Sequence, residues 1–218
     1  MVSISMKNRL IGTKTYVFLV FVLIAYLATY SLYYARLFDY EYLKKAFSFA
    51  TEDSLKNFMI NVKQISWIFP VFTVLFIFMR ISLTSFCLLI GTYSDGESIP
   101  VKKLFKISLI AELVYVFRDL MKIIYLFFQG ETNVDEYAGS FSIYSFFRDH
   151  IPANSWITLP AKSISIYFFA YMVTLIMLYK TVSGKSLSKS TSFVSTYYIL
   201  GFTLWIVLNM SFNNLFVK

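Results

Sequence analysis

The chain reads as an all-α integral membrane protein, and three observations carry that reading. Of 218 residues, 58% are hydrophobic and only 15% are charged, where soluble domains carry about 25% charge. One residue in five is aromatic, from Phe 24, Tyr 17 and Trp 3. The apolar residues gather in runs long enough to cross a bilayer, which takes about 20 mainly apolar residues. The mean hydropathy is +0.64. A surface this apolar is excluded for an ordinary soluble enzyme, a disordered protein or a nucleic-acid binder, despite the net charge of +8. Five transmembrane helices are predicted, at about 15–35, 64–94, 107–128, 163–180 and 190–217. An amphipathic surface helix is predicted near 51–65. Residues 1–218 form a single membrane domain with no soluble domain.

The first span is the uncharged run Thr15–Ala35, preceded by Lys7, Arg9 and Lys14. It is too long for a signal-peptide core, and Tyr33-Tyr34-Ala35 lacks a small residue at the −3 cleavage position, so it reads as a retained signal anchor. The segment Arg36–Lys63 is too polar to cross. Within it Thr51 is a helix N-cap, and Glu52 and Asp53 stand in the first turn, where acids favour the helix dipole. Leu55, Phe58, Met59, Val62 and Ile65 follow at helical spacing. That helix lies on the membrane surface as a lipid-sensing or docking face, or packs on its own bundle.

The second span, Gln64–Ser94, is broken only by Arg80. It is longer than one crossing needs, and Pro70 marks its start or a kink. Gly91 to Pro100 is a turn-rich connector, with Pro100 placed to open the next helix. The third span, Ile107–Phe128, carries Glu112, Arg118, Asp119 and Lys122. A polar loop, Gln129–Trp156, leads to the fourth span, flanked by Lys162 and Lys180. After the connector Thr181–Lys189, the fifth span has no charge at all.

Charge distribution sets an orientation. With the N-terminus inside, the inner segments hold nine Lys and Arg against Asp95 and Glu97. The outer segments hold eight cations and eight acids, and the intramembrane set adds one positive charge. Setting aside the helical Arg36–Lys63 loop, Lys and Arg favour the inside nine to three, which predicts N-terminus inside and C-terminus outside. Lys102, Lys103 and Lys106, at an inner helix start, bind anionic head groups or simply enforce topology.

Charged residues inside a membrane are costly and face the bundle or a wet cavity. At 100° per residue, Glu112, Arg118, Asp119 and Lys122 share a stripe roughly 120° wide on one helix face. Leu113, Val116, Phe117, Leu120, Ile124 and Leu126 occupy the opposite face. Arg80 is the extra positive charge, placed to pair with Glu112 or Asp119. The cluster reads as a self-neutralised network binding the bundle, as a face that docks another membrane subunit, or as a polar path.

Catalytic signals are thin. There is one cysteine, Cys87, in an apolar run, and one histidine, His150, expected in an exposed loop. No HExxH, P-loop or Ser/His/Asp arrangement is present, and no span pairs acids at i, i+4. The expectation is a non-enzyme without metal or cofactor. The excess of 15 Lys over 5 Arg, with so many Phe and Tyr, fits a low-GC bacterial genome.

The stretch Met177-Leu178-Tyr179-Lys180-Thr181-Val182-Ser183-Gly184-Lys185-Ser186-Leu187-Ser188-Lys189 leaves one span, makes a short basic turn and enters the last span. Gly91-Thr92-Tyr93-Ser94-Asp95-Gly96, followed by Lys102-Lys103-Leu104-Phe105-Lys106-Ile107, forms a similar turn earlier. This layout, over about half the chain, resembles the Yip1 family of small multi-pass membrane proteins. The resemblance implies five spans with the N-terminus inside and the C-terminus outside. It also implies a non-enzymatic role as an accessory or scaffold subunit of a larger membrane complex, or as a membrane-organising factor. Binding to GTPases is not carried over, because Met1–Lys14 is shorter than the cytosolic region of the trafficking members. The alternative is a small transporter or channel component. The expected partners are membrane lipids and another membrane protein complex, with no nucleic acid and no soluble small-molecule substrate. The expected location is the bacterial cytoplasmic membrane.

Overall fold

In lipid, a chain can satisfy its backbone polar groups internally only as a helix or a closed barrel, and this chain chooses helices. The computed structural model describes residues 15–37, 51–129, 142–147, 150–151 and 157–216. Nine helices lie among them: α1 Thr15–Leu37, α2 Glu52–Ile65, α3 Ile68–Ser94, α4 Val101–Ala111, α5 Leu113–Gln129, α6 Ile143–Phe146, α7 Thr158–Ser163, α8 Ile166–Ser183 and α9 Leu187–Phe216. Among the described residues the only β pairing is an isolated bridge between Ser142 and Ser165.

Local chemistry fixes the boundaries. Thr51 caps α2, its side chain accepting from the Ser54 amide at 3.3 Å, and Glu52 and Asp53 fill the first turn. The turn at Ser66–Trp67 then separates α2 from α3. The second span therefore begins at Ile68 rather than Gln64. Pro70 falls in the first turn of α3, where its missing N–H costs nothing, so it marks a start and not a kink. Pro100 opens α4 as predicted. Gly184 ends α8 with φ +71°, in the left-handed region a glycine adopts without strain. The α8–α9 turn is only residues 184–186, shorter than the predicted connector, because helix runs on through Ser183 and restarts at Leu187. The fourth span begins at Ile166, with α7 set off before it.

Four helices, α1, α3, α8 and α9, are long and apolar enough to cross a membrane. The predicted third span differs. It is interrupted at Glu112 into 11-residue and 17-residue pieces, each shorter than the roughly 20 residues of one crossing. Helical dihedrals persist at Glu112, but the Tyr115 amide bonds to the Glu112 carbonyl in a tighter i+3 pattern.

Helix α4 is the centre of the bundle and packs on α1, α3, α5 and α8. Its residues Lys106 to Ala111 are all buried. Helix α9 packs on α3 and α8, while α1 lies against α5 and α4. Val22, Ile81, Leu88, Leu104, Leu109 and Leu175 are completely covered. At the α3–α9 crossing Gly91 allows close approach: a Cβ there would meet the Tyr197 and Phe193 rings at 2.5–2.7 Å. Phe193 stacks in turn on Tyr179, with ring centroids 4.3 Å apart. Nearby, Lys185 donates to Asp95 Oδ2 at 3.0 Å and pairs with Glu97, and the Tyr179 hydroxyl donates to Glu97 Oε2 at 2.9 Å. These contacts place the α3–α4 and α8–α9 connectors on the same face of the bundle.

Candidate functional site

Arg80 stands near the middle of α3, twelve residues from Ile68 and fourteen from Ser94. At about 1.5 Å per residue that is about 18 and 21 Å from the two helix ends. A guanidinium at that depth of an apolar helix is costly without a partner. Arg80 Nη2 forms an ion pair with Glu112 Oε1 and donates to the Tyr26 hydroxyl at 2.9 Å. The Tyr26 hydroxyl donates to Glu112 Oε1 at 3.2 Å. The three residues come from α1, α3 and the α4–α5 joint, so one closed triangle pins three elements. Glu112 is 0% exposed. Among the described residues Arg80 Nε has no acceptor and Glu112 Oε2 no donor.

The rest of the stripe lies along α5. Arg118 Nε donates to Asp119 Oδ1 at 2.8 Å, and Lys122 Nζ is 3.7 Å from the same oxygen. The Arg80 guanidinium lies 4.2 Å from the Tyr115 ring centre and Arg118 5.0 Å from it, so one aromatic ring serves two cations. The Tyr115 hydroxyl meets that of Tyr198 at 3.4 Å, and the Tyr115, Tyr171 and Tyr198 rings stack at 5.0–5.2 Å. The Tyr171 hydroxyl donates to the Ser108 carbonyl at 3.4 Å. On the far side of α5, Phe117, Leu120 and Ile124 are exposed.

The structure thus gathers Arg80, Glu112, Arg118, Asp119 and Lys122 on the inner side of α3 and α5. Arg80, expected to be the extra cation, is matched by Glu112, and Arg118 and Lys122 both lie against Asp119. A cavity of about 80 Å³ opens beside the cluster, and Arg80, Arg118, Tyr115, Tyr171, Tyr198, Ser163 and Trp205 contribute to its wall. Glu112 and Asp119 do not line it.

The basic group at the start of α4 divides. Lys102 and Lys103 are exposed, whereas Lys106 is buried at 7%. Cys87 is a free, buried thiol and His150 is exposed. Among the described residues no group of three or more His, Cys, Asp or Glu is placed to hold a metal ion.

Sequence reasoning missed Tyr26, Tyr171 and Tyr198 as members of the site. They dissolved into a composition rich in tyrosine, which points first to interfacial belts. The available signal was depth. A tyrosine at the middle of an uncharged span must find a partner for its hydroxyl, and Tyr26 is such a residue in α1.

No family model, curated protein or solved structure matches the chain. Fold and site together define a class, an all-helical multi-pass membrane protein in which Arg80 pairs with Glu112 and Arg118 with Asp119.

Proposed function

We propose that this chain is a non-catalytic, Yip1-like multi-pass membrane protein. It acts as an accessory or scaffold subunit of a larger membrane complex, or as a membrane-organising factor. The observation that carries the reading is the inward engagement of the charged stripe. Arg80 with Glu112 ties α3 to the α4–α5 joint, and Arg118 is paired with its neighbour Asp119 along α5, while the outward face of α5 is apolar and open to lateral contact. Between α3 and α4 a second apolar groove, lined by Met79, Phe86, Leu89 and Phe105 among others, adds to that lateral surface.

Topology supports five crossings. The connectors before α4 and after α8 lie on one face. A start of α8 at the other face calls for a further crossing between Val101 and Ile166, which is what supports the count of five. The α4–α5 pair is the longest helical run described there. On this reading the connectors are cytoplasmic, with the N-terminus inside, the C-terminus outside and the bacterial cytoplasmic membrane as the site.

The test is co-purification of the tagged full chain from native membranes in a gentle detergent. One membrane protein is expected to enrich with it at fixed stoichiometry. Migration alone, with no enriched partner, ends the accessory reading. A second reading, a transporter or channel component, draws on the cavity beside Arg80 and Arg118. It needs a polar route on to the other face, where Leu104, Ile107, Leu109 and Leu175 fill the core.

A further inference from the structure

Between α3 and α4 the bundle leaves an open groove of about 480 Å³, within the range of about 300–1,000 Å³ usual for ligand sites. Two small residues make it. Ser82 and Ser85 of α3 leave a gap that Met79, Phe86 and Leu89 frame on one side and Val101 and Phe105 of α4 on the other. The Ser85 hydroxyl is spent on the Ile81 carbonyl at 2.7 Å, so it adds no free donor to the floor. The rim is open, with Phe86 58% and Val101 52% exposed.

The groove runs the depth of one leaflet. Met79 and Leu89 are ten residues apart on α3, about 15 Å at about 1.5 Å per residue. That is half of a hydrocarbon core roughly 30 Å thick. The α4 wall is of similar length, because α4 ends after 11 residues at Ala111. A transmembrane helix spans the whole core, so half of it would find no second wall here. An acyl chain ends at the bilayer centre and needs no more than this.

The connector end of the groove suits a head group. Phe86 and Tyr93 are seven residues apart and share a helix face, which sets Tyr93 over the groove where α3 ends. Tyr93 is 72% exposed, and tyrosine favours the head-group level of a bilayer. Lys102 follows Val101 and stands about 60° round α4 from Phe105, exposed at the same end. Lys103 is also exposed but stands about 160° round, on the side away from the groove. The acids of the connector, Asp95 and Glu97, are engaged by Lys185. A cation and a phenol at the interface, above an apolar slot, match a phosphate carrying a hydrocarbon chain.

We propose that the groove holds one acyl chain of an anionic phospholipid, with the phosphate at the connector between Lys102 and the Tyr93 hydroxyl. The head group lies at the interface, and the chain runs along α3 toward the bilayer centre. Lipid then takes the groove and a protein partner the outward face of α5, so this site and the accessory role fail in separate experiments.

The experiment is native mass spectrometry of the delipidated full chain in detergent, titrated with phosphatidylglycerol or phosphatidylcholine. Wild type is expected to hold one phosphatidylglycerol per chain in preference to phosphatidylcholine, and millimolar glycerol 3-phosphate is expected not to displace it. Ser82→Phe fills the groove from an exposed position and is expected to weaken retention of both lipids on the order of tenfold. Ser82→Ala keeps the space and is expected to bind as wild type, so a general loss of folding cannot imitate the result. Lys102→Gln is expected to weaken phosphatidylglycerol about fivefold and leave phosphatidylcholine unchanged. Lys103→Gln removes the same charge from the other side of the helix and is expected to change neither. Equal retention by wild type and Ser82→Phe overturns the proposal, as does a loss in Lys103→Gln equal to that in Lys102→Gln. Displacement by glycerol 3-phosphate overturns it in favour of a soluble anion. A dimer or a co-purifying protein that Ser82→Phe abolishes, with lipid retention unchanged, overturns it in favour of a protein occupant.

Discussion

Two ion-pair systems hold this bundle, and the same chemistry does different work in each. Arg80 and Glu112 meet at mid-helix depth with Glu112 fully covered. Lys185, Asp95 and Glu97 meet at a connector, where their side chains are 21–40% exposed. In the first, Glu112 has lost its water and depends on Arg80, whose side chain keeps 19% exposure. In the second, water and salt screen the attraction and compete for every bond. The difference teaches that in this protein an ion pair's depth, more than its geometry, decides whether it is structural. The predictions below run from the deep site outward.

Glu112→Ala leaves the largely buried Arg80 guanidinium without its counter-ion. Removing one partner of a buried pair costs about 3–5 kcal/mol, so the variant is expected to lose much of its thermal stability in detergent by differential scanning fluorimetry. The double variant Arg80→Met/Glu112→Leu removes both charges and is expected to recover most of that loss. Failure to recover would mean that the pair does more than hold helices.

Gly91→Leu forces side-chain atoms into the Tyr197 and Phe193 rings. Phe193 is already stacked on Tyr179, so it has little room to yield. A cost of about 1–3 kcal/mol is expected. Gly201→Ala, whose nearest neighbour is Cys87 Sγ at 3.0 Å, is expected to cost less in the same assay.

Tyr26→Phe deletes only the hydroxyl that bridges Arg80 and Glu112. The expected loss is about 1–2 kcal/mol, the value of a hydrogen bond to a charged group. A neutral result in thermal unfolding would show that the triangle is closed without α1.

Lys185→Met is expected to cost about 0.5 kcal/mol, and added salt should shrink even that. The Lys185 ammonium is held above the ordinary lysine value, first by its bond to Glu97; burial opposes this and Asp95 adds to it. A raised pKa means the folded state keeps the proton longer. The stabilisation is therefore complete below about pH 10.4 and lost as pH rises through the folded value. Wild type and variant should converge in stability only in strong alkali.

Much of this architecture was legible in the residues. Thr51, Pro100 and the glycine at Gly184 punctuate the chain where the helices begin and end, because caps and breakers act within a few residues. The stripe of α5 was legible because helical spacing alone puts Glu112, Arg118, Asp119 and Lys122 on one face. The pairing was not legible. Which acid meets Arg80 depends on where α3 passes α4, and the joint at Glu112 is visible only when that carboxylate is seen at the meeting point of three elements. Tyr26 lies 86 residues from its partner Glu112, beyond any local pattern. The clamp of Lys185 on Asp95 and Glu97 was hidden for the same reason, its residues having been counted only as topology signals.

Composition and periodicity by themselves determined that this chain lives in a membrane, that it is helical, and which of its faces is polar. Those properties follow from solvent transfer and backbone geometry, which act residue by residue. Tertiary structure alone decided that Glu112 rather than Asp119 neutralises Arg80, and that both arginines front a cavity their carboxylates do not. Those are questions of which groups share a low-dielectric space, and in such a space a displacement of a few ångströms determines whether a charge is paired or exposed.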